Sequence, residues 1–579
     1  MADRFVCRVS SRIGGESFNN DHLSLPADFH EVFSSPQVCL FANQPITPFD
    51  EPFGSYSRIG LTWRRSGGSA SAALDNDRNR VSARTILNTH WGAFVAFRHG
   101  SDGSIRILRD PSGQLPCYFA ADASGWTIAS DIDLLAACSP CTLRIDWSEV
   151  EQALLFINHC SSTTPLTPVK ELLPGTELIV DRHGARTEMI WSPWVYASEP
   201  ITAPDDAVAR LRDAFEEVHQ SLAKVHSRPL ITISGGLDSS IVATQIADGS
   251  GEQALLTFYT EDDQMGDERH YARIVARACA APLKDAPYLM PDFDVFLRNE
   301  MILPRPTRRN MGALVNMRIL DQAFLGGNAL ILGGHGGDNI FHVSAPAYAL
   351  RDRLTEGASL AELSQTIRDV GKVASASPAE LARHAFQVLS RHWRGKRASS
   401  WRGTRSFLAP HAKRYDAPIQ LHPWLDAPTH ARPGTIAHIA SLISAHTYSE
   451  RFHRSCSVTN LSPLLMAPIV EACLAIPSWL WCLDGKDRAI ARLAAARLPP
   501  EIATRVSKGT PSRVHAKFFE TFAQNISEFL CEGLLAQHRI IDTVAVRNYC
   551  DRPPPVQDHD FLRLIEIADA EIWCRHWHR

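Results

Sequence analysis

No stretch of this 579-residue chain approaches the ~20 consecutive apolar residues that a bilayer-spanning helix needs, so a membrane role is set aside. A strong charge of either sign is also missing. The 59 Lys and Arg against 63 Asp and Glu leave a formal net charge of −4, with no basic field of the kind that drives binding to a phosphate backbone. No nucleic-acid partner is expected. Residues 1–8, Met1-Ala2-Asp3-Arg4-Phe5-Val6-Cys7-Arg8, put charge where a signal peptide would need an apolar core, and the expected location is cytoplasmic. The cysteines, among them Cys39, Cys117, Cys160, Cys279, Cys456 and Cys550, are scattered and expected as buried thiols, not as disulfides or metal ligands.

What is present is an ordinary globular composition, 45% hydrophobic and 21% charged, in a chain too long for one core. Two or three domains are expected. Residues 37–135 read as short strands between polar turns, for instance 91–97, 105–108 and 126–129, with a further strand at 173–180. Trp191-Ser192-Pro193-Trp194 followed by residues 200–204 reads as a linker. Beyond it, helices alternate with apolar strands: a helix at 205–223, strands at 229–233, 255–260 and 329–332, and a helix at 267–280. That alternation predicts an α/β domain with a parallel sheet. From about residue 355 the chain reads as mostly helical.

The chemistry is concentrated in Ser234-Gly235-Gly236-Leu237-Asp238-Ser239-Ser240, which links an apolar strand to a helix. Glycines let backbone approach an anion, free N–H groups favour phosphate, and hydroxyls add donors. Asp238 alone would repel phosphate. A carboxylate here makes sense with a divalent cation between the two, which points to Mg²⁺-bound pyrophosphate. The loop has no Lys, so it is not the G-x-x-x-x-G-K-[ST] loop of kinases and ATPases.

With these residues the chain resembles the PP-loop ATP pyrophosphatases, and among them the asparagine synthetases and their relatives that close β-lactam and lasso-peptide rings. Leu332-Gly333-Gly334-His335-Gly336-Gly337-Asp338-Asn339 is similar to the family's second glycine-rich segment. Gly266-Asp267-Glu268-Arg269-His270-Tyr271-Ala272 is similar to its D-E-x-x-x-A helix start, where capping by Asp267 and Glu268 is as good an account as catalysis. Arg109-Asp110-Pro111-Ser112-Gly113-Gln114-Leu115-Pro116 and Ala129-Ser130-Asp131 resemble its glutaminase half. Pro433-Gly434-Thr435-Ile436-Ala437-His438-Ile439, Ser462-Pro463-Leu464-Leu465 and Ile476-Pro477-Ser478-Trp479-Leu480-Trp481 look most like the lasso macrolactam synthetases.

The resemblance implies an Ntn-hydrolase-like αββα sandwich over residues 1–195, a degenerate type 2 glutamine amidotransferase. It implies a PP-loop, adenine nucleotide α-hydrolase-like doubly wound parallel sheet with helical additions over 205–579. Glutamine-using members carry a nucleophilic cysteine at position 2; here Ala2 stands there and Cys7 is expected in the core, so glutamine hydrolysis is expected to be absent. The resemblance assigns ATP to Thr232, Ser234, Gly235, Gly236, Leu237, Asp238, Ser239, Ser240, Thr260, Gly333 and Gly334, and Mg²⁺ to Asp238 and Asp338. Lys508, in Val506-Ser507-Lys508-Gly509, is expected to stabilise the acyl-transfer charge. Thr459 stands near the place of the acidic residue of asparagine synthetases, which leaves Tyr448 and Glu450 as candidate bases.

The implied activity is ATP-dependent closure of a peptide macrolactam, from an Asp or Glu side chain and the peptide's own N-terminal amine. The implied partners are a precursor peptide, a leader-binding protein and a leader protease. An ammonia-dependent asparagine synthetase and a nucleotide-binding scaffold without catalysis are the alternatives.

Overall fold

The computed structural model describes residues 3–10, 25–35, 38–49, 56–65, 83–100, 104–181, 183–224, 228–246, 253–260, 267–298, 303–306, 310–393, 401, 403–411, 420–450, 452, 456, 458–506, 512–553 and 558–578. Ala2 and Lys508 lie outside them.

The first half is built on two six-stranded antiparallel sheets. One runs Lys170–Glu171, Tyr118–Asp122, Gly125–Ala129, Phe5–Ser10, Val38–Ala42, His30–Ser34; the other runs Gly184–Met189, Thr176–Asp181, Ile105–Arg109, His90–His99, Ser57–Arg64, Thr47–Pro48. Alternation along a strand sends every second side chain to the same face. Thus Phe5, Cys7 and Val9 meet Val95, Phe97, Ile107 and Leu178 between the sheets, while Val6 joins the core on the other side. Cys7 is fully buried, as expected of a core residue, and burial drives its thiol far above the ordinary range. The helix Ile132–Cys138 covers the outer face of the first sheet.

The second half carries a five-stranded parallel sheet in the order Leu283–Pro287, Ala254–Tyr259, Pro229–Thr232, Leu330–Gly333, Thr459–Leu461. Both faces are covered, as parallel sheets require. Leu230, Leu256 and Ile331 pack on Val315 and Ile319 of the helix Ala313–Leu325, and Ile231, Leu255 and Leu332 belong to the main core on the opposite face. In chain order the strands lie 3-2-1-4-5, so the direction of winding reverses between Pro229–Thr232 and Leu330–Gly333. The crevice at the carboxyl ends of such a pair is where open α/β sheets bind ligands.

Three local expectations are corrected. The linker reading of 191–204 fails: Trp191 is buried, Pro193–Ala197 forms a short helix, and Trp194 donates its Nε1–H to the Trp424 carbonyl at 2.8 Å. The helix after Ser240 is α-helical only over Leu237–Ile241 and widens to a π-helix over Val242–Ile246. The expectation that the cysteines are all scattered, with no C-x-x-C pair, fails at Cys138-Ser139-Pro140-Cys141; both are free thiols, and no group of three or more metal-ligating side chains occurs among the described residues. Ten of the thirteen cysteines are buried, as expected of inert thiols. No helix among the described residues is long and apolar enough to cross a membrane.

The halves are locked together by buried polar groups. Glu471, on the helix Ala467–Leu474, accepts from Arg65 Nη1 at 2.6 Å and Nη2 at 2.8 Å and from Trp191 Nε1 at 3.0 Å. Gln114, in the Arg109-Asp110 turn, exchanges two hydrogen bonds with the backbone of Ser462, at 2.7 and 3.2 Å. Changing Glu471 to Gln leaves a charged Arg65 in a water-poor interface, and the expected loss is about 3–5 kcal/mol of stability, measured by urea unfolding. A loss under about 1 kcal/mol would contradict the anchoring role.

Candidate active site

The loop after Pro229–Thr232 turns at Gly235, whose φ of +70° is open to glycine. A Cβ there would also meet Tyr271 Cβ at 2.4 Å. Inside the loop, Ser239 Oγ receives the Ser234 N–H at 3.2 Å, and Ser234 Oγ receives the Gly236 N–H at 3.3 Å. Leu237, Ser239 and Ser240 are buried, with Ser240 Oγ lacking a hydrogen-bond partner among the described residues. Ser234 is left exposed at the loop surface. Thr232 ends its strand at the same edge, its Oγ1 3.4 Å from the Leu332 carbonyl; Thr260 directly follows the neighbouring strand.

The second loop, after Leu330–Gly333, lies directly against the first, with glycine at each point of contact. A Cβ on Gly334 would come within 2.5 Å of the Ser239 nitrogen, and one on Gly337 within 2.3 Å of Asp238 Cγ. Gly336 turns the chain at φ +85°, with Leu465 packed on it. This absence of side chains is what lets Asp238 and Asp338 converge.

Their convergence is marked by Arg488. Its Nη1 donates to Asp238 Oδ1 and Oδ2 at 3.0 and 3.1 Å and to Asp338 Oδ1 at 2.9 Å. Burial works against its charge, but Asp238, Asp487 and Asp338 outweigh it and hold the guanidinium protonated. One cationic nitrogen thus bridges carboxylates from two loops. The pair fits a divalent ion: Mg²⁺ is commonly held by one or two carboxylates, with substrate phosphates and water completing its shell.

A second arginine fixes the first loop. Arg505 donates to the Gly235 carbonyl at 2.9 Å and to Glu268 Oε1 at 2.6 Å, with its guanidinium 3.7 Å above the Tyr271 ring. Glu268 therefore acts as an anchor for Arg505, while Asp267 binds the backbone and side chain of Arg269 at the start of its own helix. Sequence reasoning missed both arginines. The signal for Arg488 was the string Asp484-Gly485-Lys486-Asp487-Arg488, a turn followed by alternating charge.

The candidate bases face the first half of the chain. Glu450 accepts from Tyr118 Oη at 2.6 Å, and Tyr448 donates to Asn158 Oδ1 at 2.9 Å. Tyr448 stands beside the second glycine loop, its ring centroid 6.3 Å from that of His335. Lys508 lies outside the described residues, which run to Val506 and resume at Ser512.

The family model for asparagine synthase matches residues 210–579. The chain belongs to the asparagine synthase family. ATP-dependent amide formation is therefore the chemistry of its class, and no curated protein matches the chain. Two solved structures share weak likeness with it. One is the allosteric regulatory enzyme of purine biosynthesis, at 10% identity over 49% of this chain and 58% of that one, with a TM-score of 0.17. The other is glutamine phosphoribosylpyrophosphate amidotransferase from B. subtilis, complexed with ADP and GMP, at 11% identity over 57% of this chain and 75% of that one, also with a TM-score of 0.17. The chain spans 58% of the length of the first, and neither likeness bears on its function.

Behind the second loop, His438 donates Nε2–H to the Ile340 carbonyl at 2.8 Å and stacks on His342 at 4.5 Å. Burial lowers His438 to about 4 and His342 well below the usual imidazole range. A lowered folded pKa means stability that is complete above the unfolded value near 6.5 and is lost as pH falls through the folded one. The wild type is therefore expected to lose thermal stability relative to His438→Asn between pH 6.5 and pH about 4, in paired melting curves. A difference independent of pH would refute the buried neutral imidazole. Gly337→Ala drives a methyl into Asp238, and ATP affinity measured by calorimetry is expected to fall about 100-fold. An unchanged affinity would show that the two loops need not touch.

Proposed function

We propose that this chain is a lasso peptide cyclase: it adenylates an Asp or Glu side chain of a core peptide and closes an isopeptide ring with the peptide's N-terminal amine, releasing AMP and pyrophosphate. The observation that carries the nucleotide half of this reading is the meeting of Asp238 and Asp338 around one cationic nitrogen at the sheet's switch point. The peptide half rests on the resemblance at residues 332–339, 433–439, 462–465 and 476–481, and on Ala2 standing where glutamine-using members have cysteine.

In this reading the 234–240 loop and Gly333-Gly334 offer backbone to the ATP phosphates, with Thr232 and Thr260 at the adjoining strand ends. Asp238 and Asp338 would hold Mg²⁺, which would supply charge neutralisation to the departing pyrophosphate. The substrate carboxylate attacks the α-phosphate to give an acyl adenylate. Tyr448 or Glu450 takes the proton of the attacking amine, and Lys508 offsets the negative charge on the acyl oxygen as AMP leaves. The N-terminal half serves as scaffold, a role supported by its buried Cys7 and by the grip of Gln114 on Ser462. Leader-binding and protease partners present the core peptide.

The test combines purified protein, ATP, Mg²⁺, a candidate precursor peptide and the two partners, and weighs the peptide. Loss of one water, abolished by Asp238→Ala and reduced about 100-fold or more by Lys508→Ala, is the expected result. ATP turnover driven by free aspartate and ammonium, with the peptide mass unchanged, would replace this reading with an asparagine synthetase.

A further inference from the structure

Arg488 has the geometry of a built-in cation. Its Nη1 lies 2.9–3.1 Å from three oxygens of Asp238 and Asp338, and its Nε lies 2.9 Å from Asp487 Oδ2. Side-chain exposure of Arg488 is only 11%. Asp487 is fixed in turn by Arg492, through Nη2 to Oδ1 at 2.7 Å and Nε to the backbone carbonyl at 2.8 Å. The backbone that delivers Arg488 is unusual: Asp484, Gly485 and Arg488 all have positive φ, at 56°, 72° and 51°. Two of these are not glycine, a conformation that persists only where surrounding interactions enforce it.

Two carboxylates brought together in a partly buried crevice repel unless a cation lies between them. A Mg²⁺ ion would sit about 2.0–2.1 Å from the same oxygens and would draw them inward by about 1 Å each. Those are the oxygens that Nη1 now contacts. We propose that Arg488 is a stand-in cation that holds Asp238 and Asp338 in register before nucleotide arrives. The divalent ion and the Arg488 guanidinium then exclude one another, and the metal enters only with nucleotide phosphates, whose charge compensates for the displaced arginine. The inference rests on the reading of Asp238 and Asp338 as the metal pair. It makes Arg488 a positioning residue, and it makes metal binding conditional on nucleotide.

The experiment is a Mn²⁺ titration of the full chain, followed by the electron paramagnetic resonance of free Mn²⁺, with and without α,β-methylene-ATP. Wild type and Arg488→Lys are expected to bind Mn²⁺ only when the nucleotide is present. Arg488→Met and Arg488→Gln, checked for folding by near-ultraviolet circular dichroism, are expected to bind Mn²⁺ alone at least about tenfold more tightly than wild type. Equal affinity of wild type and the neutral variants without nucleotide overturns the inference, as does an equal gain in Arg488→Lys. Should neither neutral variant fold, wild type decides: submillimolar Mn²⁺ binding without nucleotide overturns the stand-in, and its absence until nucleotide is added supports it. Failure of wild type to take up Mn²⁺ even with the nucleotide removes the metal-pair reading itself, and the inference with it.

Discussion

Gly334 lies against the Ser239 backbone and Gly337 against the Asp238 side chain, and the arrangement of the site depends on these two contacts. Any side chain at either glycine would push the two loops apart. Because the loops follow adjacent parallel strands on either side of the winding reversal, their close approach places two carboxylates from distant parts of the sequence within reach of one cation. Two carboxylates held this close repel unless a cation lies between them, and Arg488 supplies one. Arg505, on Gly235 and Glu268, holds the outer side of the same assembly.

The first half of the chain contributes to that assembly by contact. Its Arg109 is fully occupied in holding its own turn, donating to the Leu115 and Gly113 carbonyls and to Glu171. The turn so fixed presents Gln114 to Ser462. Leu465, three positions on, packs over Gly336 and so over the second glycine loop. A line of contacts thus runs from a turn of the first half to the carboxylate pair. Tyr118 and Asn158 reach Glu450 and Tyr448 from the same side.

Much of the fold was legible because its strands are apolar and its punctuation is glycine. The strands at 91–97, 105–108, 126–129, 229–233 and 329–332 announce themselves by composition, and the two glycine loops by spacing. Two members of the parallel sheet were not legible. Leu283–Pro287 is short, half polar and ends in proline, and Thr459–Leu461 is three residues long; both owe their strand conformation to pairing with neighbours rather than to their own residues. The misread linker at 191–204 has the same cause, since Pro and Trp there serve packing against Glu471 and Trp424. Arg488 and Arg505 escaped because an arginine carries no local sign of its partner, and theirs lie more than two hundred positions away, apart from Asp338 and the adjacent Asp487.

The central claim is that the Asp238–Asp338 crevice transfers adenylate to a peptide carboxylate. The most direct measurement uses a core peptide whose acceptor side-chain carboxylate carries ¹⁸O, with mass spectrometry of the nucleotide after one round of ring closure. One labelled oxygen passing from peptide to AMP is the predicted result, because the carboxylate oxygen that attacks the α-phosphate leaves with it. Label recovered in inorganic phosphate, with ADP as the nucleotide product, would contradict adenylation.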